Sequence, residues 1–212
     1  MKTQDLIGRL SADSQPQQGS PRLTLALAVF AAAAVAVLLM LFTIGPRPDI
    51  AEASGTWRFD FKFLVTVTLA ATGYFLLSRA LYPEGLQRAP LWLLLAAPAL
   101  LLGAAVFELW ALPHAMWGTK VIGTNWLYCL TLVPAFGIVP LVLALWAIRQ
   151  GATTRPVLTG FLSGLVAGGL AATAYAAHCP DDSPLFVAVW YPIGILTLGA
   201  IGAVAGRAVL RW

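Results

Sequence analysis

The sequence predicts an all-α, polytopic membrane protein, a bundle of six transmembrane helices with both termini in the cytoplasm. Of its 212 residues, 59% are hydrophobic and 10% are charged, whereas a soluble globular protein carries about 25% charged residues. Six apolar stretches reach the length of about 20 residues that a helix needs to cross the hydrocarbon core. These stretches do not alternate between apolar and polar residues, so transmembrane β-strands are disfavoured.

The first predicted element is a short amphipathic helix in the polar N-terminal segment, Thr3–Asp13. Leu6, Ile7 and Leu10 form an apolar stripe at helical spacing, while Asp5 lies on another face. A helix of this length is marginal alone in water. It would be stabilised by laying its stripe into a groove on a partner.

The rest of the tail is predicted to be a linker, and the remainder of the chain to be membrane-embedded. Residues 14–21 are polar and bounded by prolines, which is typical of a linker. We therefore divide the chain into a tail, residues 1–21, and a transmembrane domain, residues 22–212. The six predicted spans are Leu23–Ile44, Phe61–Leu81, Leu91–Leu112, Trp126–Ile148, Val157–Ala177 and Leu185–Ala205.

The basic residues predict the orientation of these spans. With the N-terminus inside, nine of the 13 lysines and arginines fall in inner segments and four in outer segments. Short cytoplasmic loops carry such an excess of basic residues. Inner arginines next to a bilayer contact anionic lipid, so the high pI is poor evidence for nucleic-acid binding. The four outer residues are Arg47, Arg58, Lys62 and Lys120.

Span five carries small residues four positions apart, which predicts close helix packing. Gly160, Gly164 and Gly168 begin a stripe of small residues. Gly202 and Gly206 show the same spacing in span six. Such stripes let neighbouring backbones approach each other in membranes. We interpret the stripe as a packing surface.

The residues that are missing from the spans exclude several classes of function. The middle of every span lacks Asp, Glu, Lys, Arg and His, whereas ion and proton pathways need polar partners at that depth. No pattern recommends itself as a nucleophilic triad or a phosphate-binding loop. The sequence therefore predicts that the protein is not an enzyme and holds no permanent cofactor.

Both histidines and both cysteines are predicted to lie at the outer face. These residues are His114, Cys129, His178 and Cys179. Thiolate and imidazole ligands suit zinc, cadmium or copper. Two cysteines can instead form a structural disulfide or a redox switch. A cysteine in an apolar span can also be a simple small hydrophobe, and the residues alone leave these alternatives open.

The polar residues around the cysteines have weaker predicted roles. His178 can bind metal or tune the neighbouring thiol, since a nearby imidazolium stabilises a thiolate. His114 is interpreted first as a solvated loop residue and second as a ligand. Asp181 and Asp182 are interpreted first as solvated loop acids or as a turn starter, and second as metal ligands or thiol-tuning groups. Glu108 is predicted near the interface, where its carboxylate reaches water, and a role in metal binding or thiol tuning is its second interpretation.

Two stretches carry a resemblance to a known family: MKTQDLI at the N-terminus, and HCPDDSP followed by FVAVWY after span five. With them, the chain resembles the NrsF-type negative regulators, six-span anti-sigma factors of the bacterial inner membrane. The likeness extends over the whole chain, including the tail, one cysteine in span four and one after span five.

The resemblance implies a partner and a direction of signalling. The protein would hold an extracytoplasmic-function sigma factor inactive at the cytoplasmic face and release it on heavy-metal or oxidant stress outside. The implied sensor is the pair Cys129 and Cys179, with a transient zinc- or cadmium-type metal at these thiols and His178. The implied sigma-binding residues are Asp5, Leu6, Ile7 and Leu10.

Two other functions remain as alternatives to this regulator. The first is a membrane thiol oxidoreductase that passes electrons between a disulfide and a quinone, although a lone cysteine pair is few for such enzymes. The second is a small transporter or a structural subunit of a membrane complex. The sequence does not identify the stimulus or the oligomeric state.

Overall fold

The computed structural model describes residues 3–13 and 20–210, without the side chains of residues 6, 9, 10, 12 and 13. All of its regular secondary structure in these ranges is helical, as predicted. The α-helices are α1 Thr3–Asp13, α2 Pro21–Thr43, α3 Ile50–Ala53, α4 Trp57–Ala80, α5 Ala96–Ala111, α6 Trp117–Ile122, α7 Trp126–Ile148, α8 Pro156–Ala176 and α9 Pro184–Val209. Two 3-10 segments, Leu91–Leu95 and His114–Met116, precede α5 and α6.

Six helical segments in the described ranges are long and apolar enough to cross a membrane. They contain α2, α4, α5, α7, α8 and α9, and this result confirms the predicted polytopic helical bundle. Three of these helices begin one or two residues before the predicted spans because Pro21, Pro156 and Pro184 occupy their first turns. Proline suits this position because its missing N–H would have no helical partner there.

The tail and the loops add short helices to this bundle. Helix α1 covers the same eleven residues, Thr3–Asp13, that the apolar stripe indicated. Most of the predicted linker, residues 14–19, lies outside the described residues. The sequence did not predict α3 and α6, since each has fewer than two turns of apolar periodicity to reveal it.

Helix α8 is the centre of the bundle. Nearly three quarters of the residues in its most apolar stretch are buried. The helix packs against α9, α4, α7 and α2. The predicted glycine stripe makes the α8–α9 contact. A Cβ at Gly160 would overlap the carbonyl oxygen of Gly202, and one at Gly164 would lie 2.6 Å from the Cα of Gly199. The two backbones therefore touch where only glycine fits.

The connections of the bundle lie at two ends. At one end, the segments after α4 and α7 are joined by a hydrogen bond from the N–H of Ala152 to the carbonyl of Leu81. The α2–α4, α5–α7 and α8–α9 connections lie at the other end, which we call the cysteine end because Cys129 and Cys179 are there. The chain enters α2 at the end opposite the cysteines.

Candidate functional site

The loop between α8 and α9 holds most of the residues that the sequence singled out. We call residues 177–183 the α8–α9 loop. It contains His178, Cys179, Asp181 and Asp182. This loop and the first turn of α9 are bound by residues of α4 and α5 and of the α2–α3 and α6–α7 connections. The loop therefore joins most of the bundle at the cysteine end.

Asp182 is bound by two basic residues from other parts of the chain. Its Oδ2 accepts a hydrogen bond from Nη1 of Arg47 at 2.8 Å, and its Oδ1 lies 2.6 Å from Nζ of Lys62. We call this arrangement of Asp182, Arg47 and Lys62 the Asp182 clamp. Asp182 is therefore not a simple solvated loop acid, because its carboxylate pairs with two cations and its side chain is only 19% exposed.

Lys62 is fully buried in the first turns of α4. Its ammonium group also donates to the carbonyl oxygens of Cys179 at 2.8 Å and of Ala176 at 3.2 Å. These two hydrogen bonds add to the ion pair that Lys62 makes with Asp182. Sequence reasoning counted Lys62 only as an outer charge. One feature of the sequence could have revealed its role. A lysine at the edge of an apolar span is costly to bury, so it is expected to have a polar partner.

Arg47 links the α2–α3 connection to the same loop. Its guanidinium binds both carboxylate oxygens of Asp49, at 2.7 Å from Nε and 2.6 Å from Nη2. This bond from Arg47 holds the pKa of Asp49 at about 2, and the bond to Asp49 raises the pKa of Arg47. The backbone N–H of Arg47 donates to the carbonyl of Ala177 at 3.1 Å. Both the charge and the backbone of this residue therefore hold the loop.

Asp181 binds the start of α7. Its Oδ2 accepts hydrogen bonds from the N–H groups of Thr124 at 2.9 Å and Asn125 at 2.8 Å. Backbone N–H groups at a helix start lack helical partners, and an acid there also interacts favourably with the helix dipole. Asp181 therefore binds the two residues that immediately precede α7, while its side chain remains partly exposed.

Glu108 is buried, in contrast to the prediction that its carboxylate reaches water. Only 2% of the residue is exposed. Its Oε2 accepts hydrogen bonds from the hydroxyl of Ser183 at 2.6 Å and from the N–H of Leu185 at 3.1 Å. Its Oε1 lies 3.3 Å from the guanidinium of Arg58. The start of α9 supplies polar partners that a reading of span three alone does not reveal.

Both cysteines are free thiols in the buried core of the cysteine end. The buried rings of Tyr175 and Tyr191 lie in the same region, 6.1 Å apart. Burial raises the pKa of the Cys179 thiol, whereas the nearby charge of Lys62 opposes that rise. Cys179 is therefore a protonated thiol at neutral pH, which favours slow reaction at rest.

The structure does not assemble the predicted metal ligands. Among residues 3–13 and 20–210, no three His, Cys, Asp or Glu side chains are grouped so that they could hold a metal ion. The Nδ1 of His178 forms a hydrogen bond with the carbonyl of Gly45 at 2.9 Å. His114 is exposed, and its ring stacks on Trp117 at 4.2 Å.

The predicted sigma-binding residues of the tail are only partly described. Asp5 and Ile7 are exposed on α1, and Ile7 keeps 58% of its surface accessible. The backbones of Leu6 and Leu10 belong to the same helix, but their side chains lie outside the described residues.

Comparisons with known proteins agree over the whole chain. Residues 10–212 match the family model described as NrsF, negative regulator of sigma F. The chain is 36% identical to the anti-sigma-F factor NrsF of Caulobacter vibrioides (strain NA1000 / CB15N), with complete coverage of both chains. It is 33% identical to the probable anti-sigma-F factor NrsF of Azospira oryzae, again over the full length of both. No solved structure gave a significant match. The chain therefore belongs to the NrsF family of negative regulators of sigma F, a family of non-enzymatic regulators.

Proposed function

We propose that the protein is a membrane-bound anti-sigma factor that sequesters an extracytoplasmic-function sigma factor through its N-terminal segment. Heavy metal or oxidant acting on Cys129 and Cys179 at the periplasmic face then releases the sigma factor. The observation that carries this proposal is the full-length match to anti-sigma-F factors. That membership favours a regulator over the thiol oxidoreductase, transporter and structural-subunit alternatives.

The proposed orientation places both termini in the cytoplasm of a bacterium and the cysteine end in the periplasm. Six spans return the chain to its starting side. The excess of basic residues in the segments on that side supports the same orientation. A cytoplasmic tail can reach a sigma factor, which acts in the cytoplasm.

The proposed sigma-binding element is helix α1. Ile7 leaves an apolar surface exposed, and an amphipathic helix commonly binds a partner by laying its apolar face into a groove. The family model begins at residue 10, so it does not cover most of α1. The two relatives nevertheless align over the complete tail.

The proposed sensor is the buried thiol pair. An oxidant would take two electrons and two protons from Cys129 and Cys179, and their sulfur atoms would form one disulfide bond. A zinc- or cadmium-type ion would instead displace the thiol protons. His178 would join as a third ligand through Nε2, while its Nδ1 keeps the hydrogen bond to the carbonyl of Gly45. Either event alters the contact between α7, which carries Cys129, and the α8–α9 loop, which carries Cys179.

The substitution Ile7→Asp tests the sigma-binding part of the proposal. A charge on the apolar surface of α1 costs desolvation in the complex, so the variant should release the sigma factor and raise transcription without stress. The measurement is the amount of sigma factor that copurifies with the detergent-solubilised protein, together with a promoter reporter.

Gly8→Asp is the matched control for this experiment. It places the same charge one residue further along α1, where an added side chain meets no atom within 4 Å. On a helical wheel this position points away from the stripe of residues 6, 7 and 10. If the Ile7→Asp variant, or a chain that lacks residues 1–21, still binds the sigma factor fully, the sigma-binding site lies in another part of the protein.

A further inference from the structure

On the basis of the proposed anti-sigma role, we infer that Asp182 and Lys62 are positioning residues of the sensor. Their ion pair, shared with Arg47, holds the α8–α9 loop and Cys179 in the resting arrangement. Loss of this pair shifts the protein to the arrangement that releases the sigma factor. The inference assigns a signalling role to buried charges that neither bind the partner nor carry a thiol.

The first support is that the clamp joins separate parts of the bundle. Asp182 lies between α8 and α9, Lys62 is on α4, and Arg47 follows α2. No two of these residues share an element. Their contacts therefore fix the relative positions of four spans, and any displacement of the loop must break or rebuild them.

The second support is burial, which makes the clamp sensitive to small changes. Lys62 is fully enclosed and Arg47 is 8% exposed. A buried charge that loses its partner is strongly destabilised, because water cannot replace the lost contact. Packed polar networks of this kind adopt discrete arrangements rather than deforming continuously. The clamp thus suits an element with two states.

The third support is a direct bond between the clamp and the sensor residue. Lys62 donates to the carbonyl oxygen of Cys179 at 2.8 Å, and Arg47 approaches the same atom at 3.4 Å. A new bond at the sulfur of Cys179 therefore pulls on a residue that both cations hold. A stimulus shifts an equilibrium by its differential affinity for two states, and this contact provides a physical basis for such a difference.

The test uses the double variant Lys62→Met with Asp182→Asn in full-length protein. Asp182→Asn alone leaves the buried ammonium of Lys62 without its carboxylate, so loss of folding could obscure its effect. The double variant removes both charges together and leaves Arg47 bound to Asp49. We expect unstressed promoter activity, per unit of membrane-inserted protein, to rise roughly five- to a hundredfold, the usual range of an allosteric coupling.

A second measurement reports the position of Cys179 itself. Both thiols are fully buried in the resting structure. In the double variant they should react faster with N-ethylmaleimide in membranes, although no residue near the tail has changed. If the substitutions only reduced the amount of protein inserted in the membrane, total labelling per cell would fall. The labelling rate constant of each inserted thiol would stay unchanged.

The matched control is Lys120→Met with Asp60→Asn. It removes one lysine and one aspartate from the same end of the bundle without touching the clamp. We expect wild-type repression and wild-type labelling rates from this control. If the wild type holds a sigma factor and the clamp variant holds it equally tightly with unchanged labelling, the inference is overturned. Failure of the wild type to hold any sigma factor would instead overturn the proposed function.

Discussion

At the scale of single residues, the buried charges of the cysteine end are stabilised by partners from distant parts of the chain. Glu108 is one example, because its carboxylate accepts hydrogen bonds from Ser183 and Leu185 at the start of α9. The sequence placed Glu108 at the correct end of its span but predicted a hydrated carboxylate. Its partners are far away in sequence, and no local pattern specifies such a long-range contact.

Glu108→Gln tests the contribution of this carboxylate to stability. Hydrogen bonds to a charged acceptor contribute more than neutral ones, so the amide should lower the free energy of unfolding by about 1–3 kcal/mol. The measurement is the thermal midpoint in detergent, with Glu52→Gln on an exposed position as the control. An unchanged midpoint for Glu108→Gln would show that the carboxylate charge is dispensable at this site.

At the scale of elements, the sequence predicted the six spans and α1 because each follows from a local pattern, whereas α3 and α6 are too short to show one. The six spans follow from apolar runs, α1 from an apolar stripe, and a close-packing surface on α8 from glycines spaced four apart, although the sequence did not name α9 as its partner. The prolines of the first turns moved the start of α2, α8 and α9 by one or two residues. The sequence did not predict the Asp182 clamp, because the clamp depends on how the helices pack against one another. The hydrophobic periodicity of the sequence does not specify that packing.

Gly160→Ala tests the α8–α9 contact. The added methyl group would overlap the backbone of Gly202, which cannot move aside as a flexible side chain does. Overpacking of this kind costs about 1–3 kcal/mol, so the thermal midpoint in detergent should fall. Gly103→Ala on α5 is the matched control, because its methyl group meets no atom within 4 Å and alanine favours the helix. Equal midpoints for the two variants would contradict the close approach of α8 and α9.

At the scale of the whole molecule, the proposed signal must travel from one end of the bundle to the other. The cysteine end contains the thiols and the Asp182 clamp, whereas the chain enters α2 at the opposite end. The hydrocarbon core between the two ends is about 30 Å thick. Helix α8 reaches the α8–α9 loop and contacts four other spans, so its packing provides a physical connection between the two ends.

The release of a bound sigma factor from intact membranes tests the central claim most directly. Inside-out vesicles that hold the complex would be loaded with cadmium or with a thiol oxidant in the lumen, and sigma factor in the outer solution would be measured. We predict release from the wild type, and retention by the variant Cys129→Ser with Cys179→Ser, which should still bind the sigma factor at rest. Equal release from the wild type and the double cysteine variant would contradict the assignment of the thiol pair as the sensor.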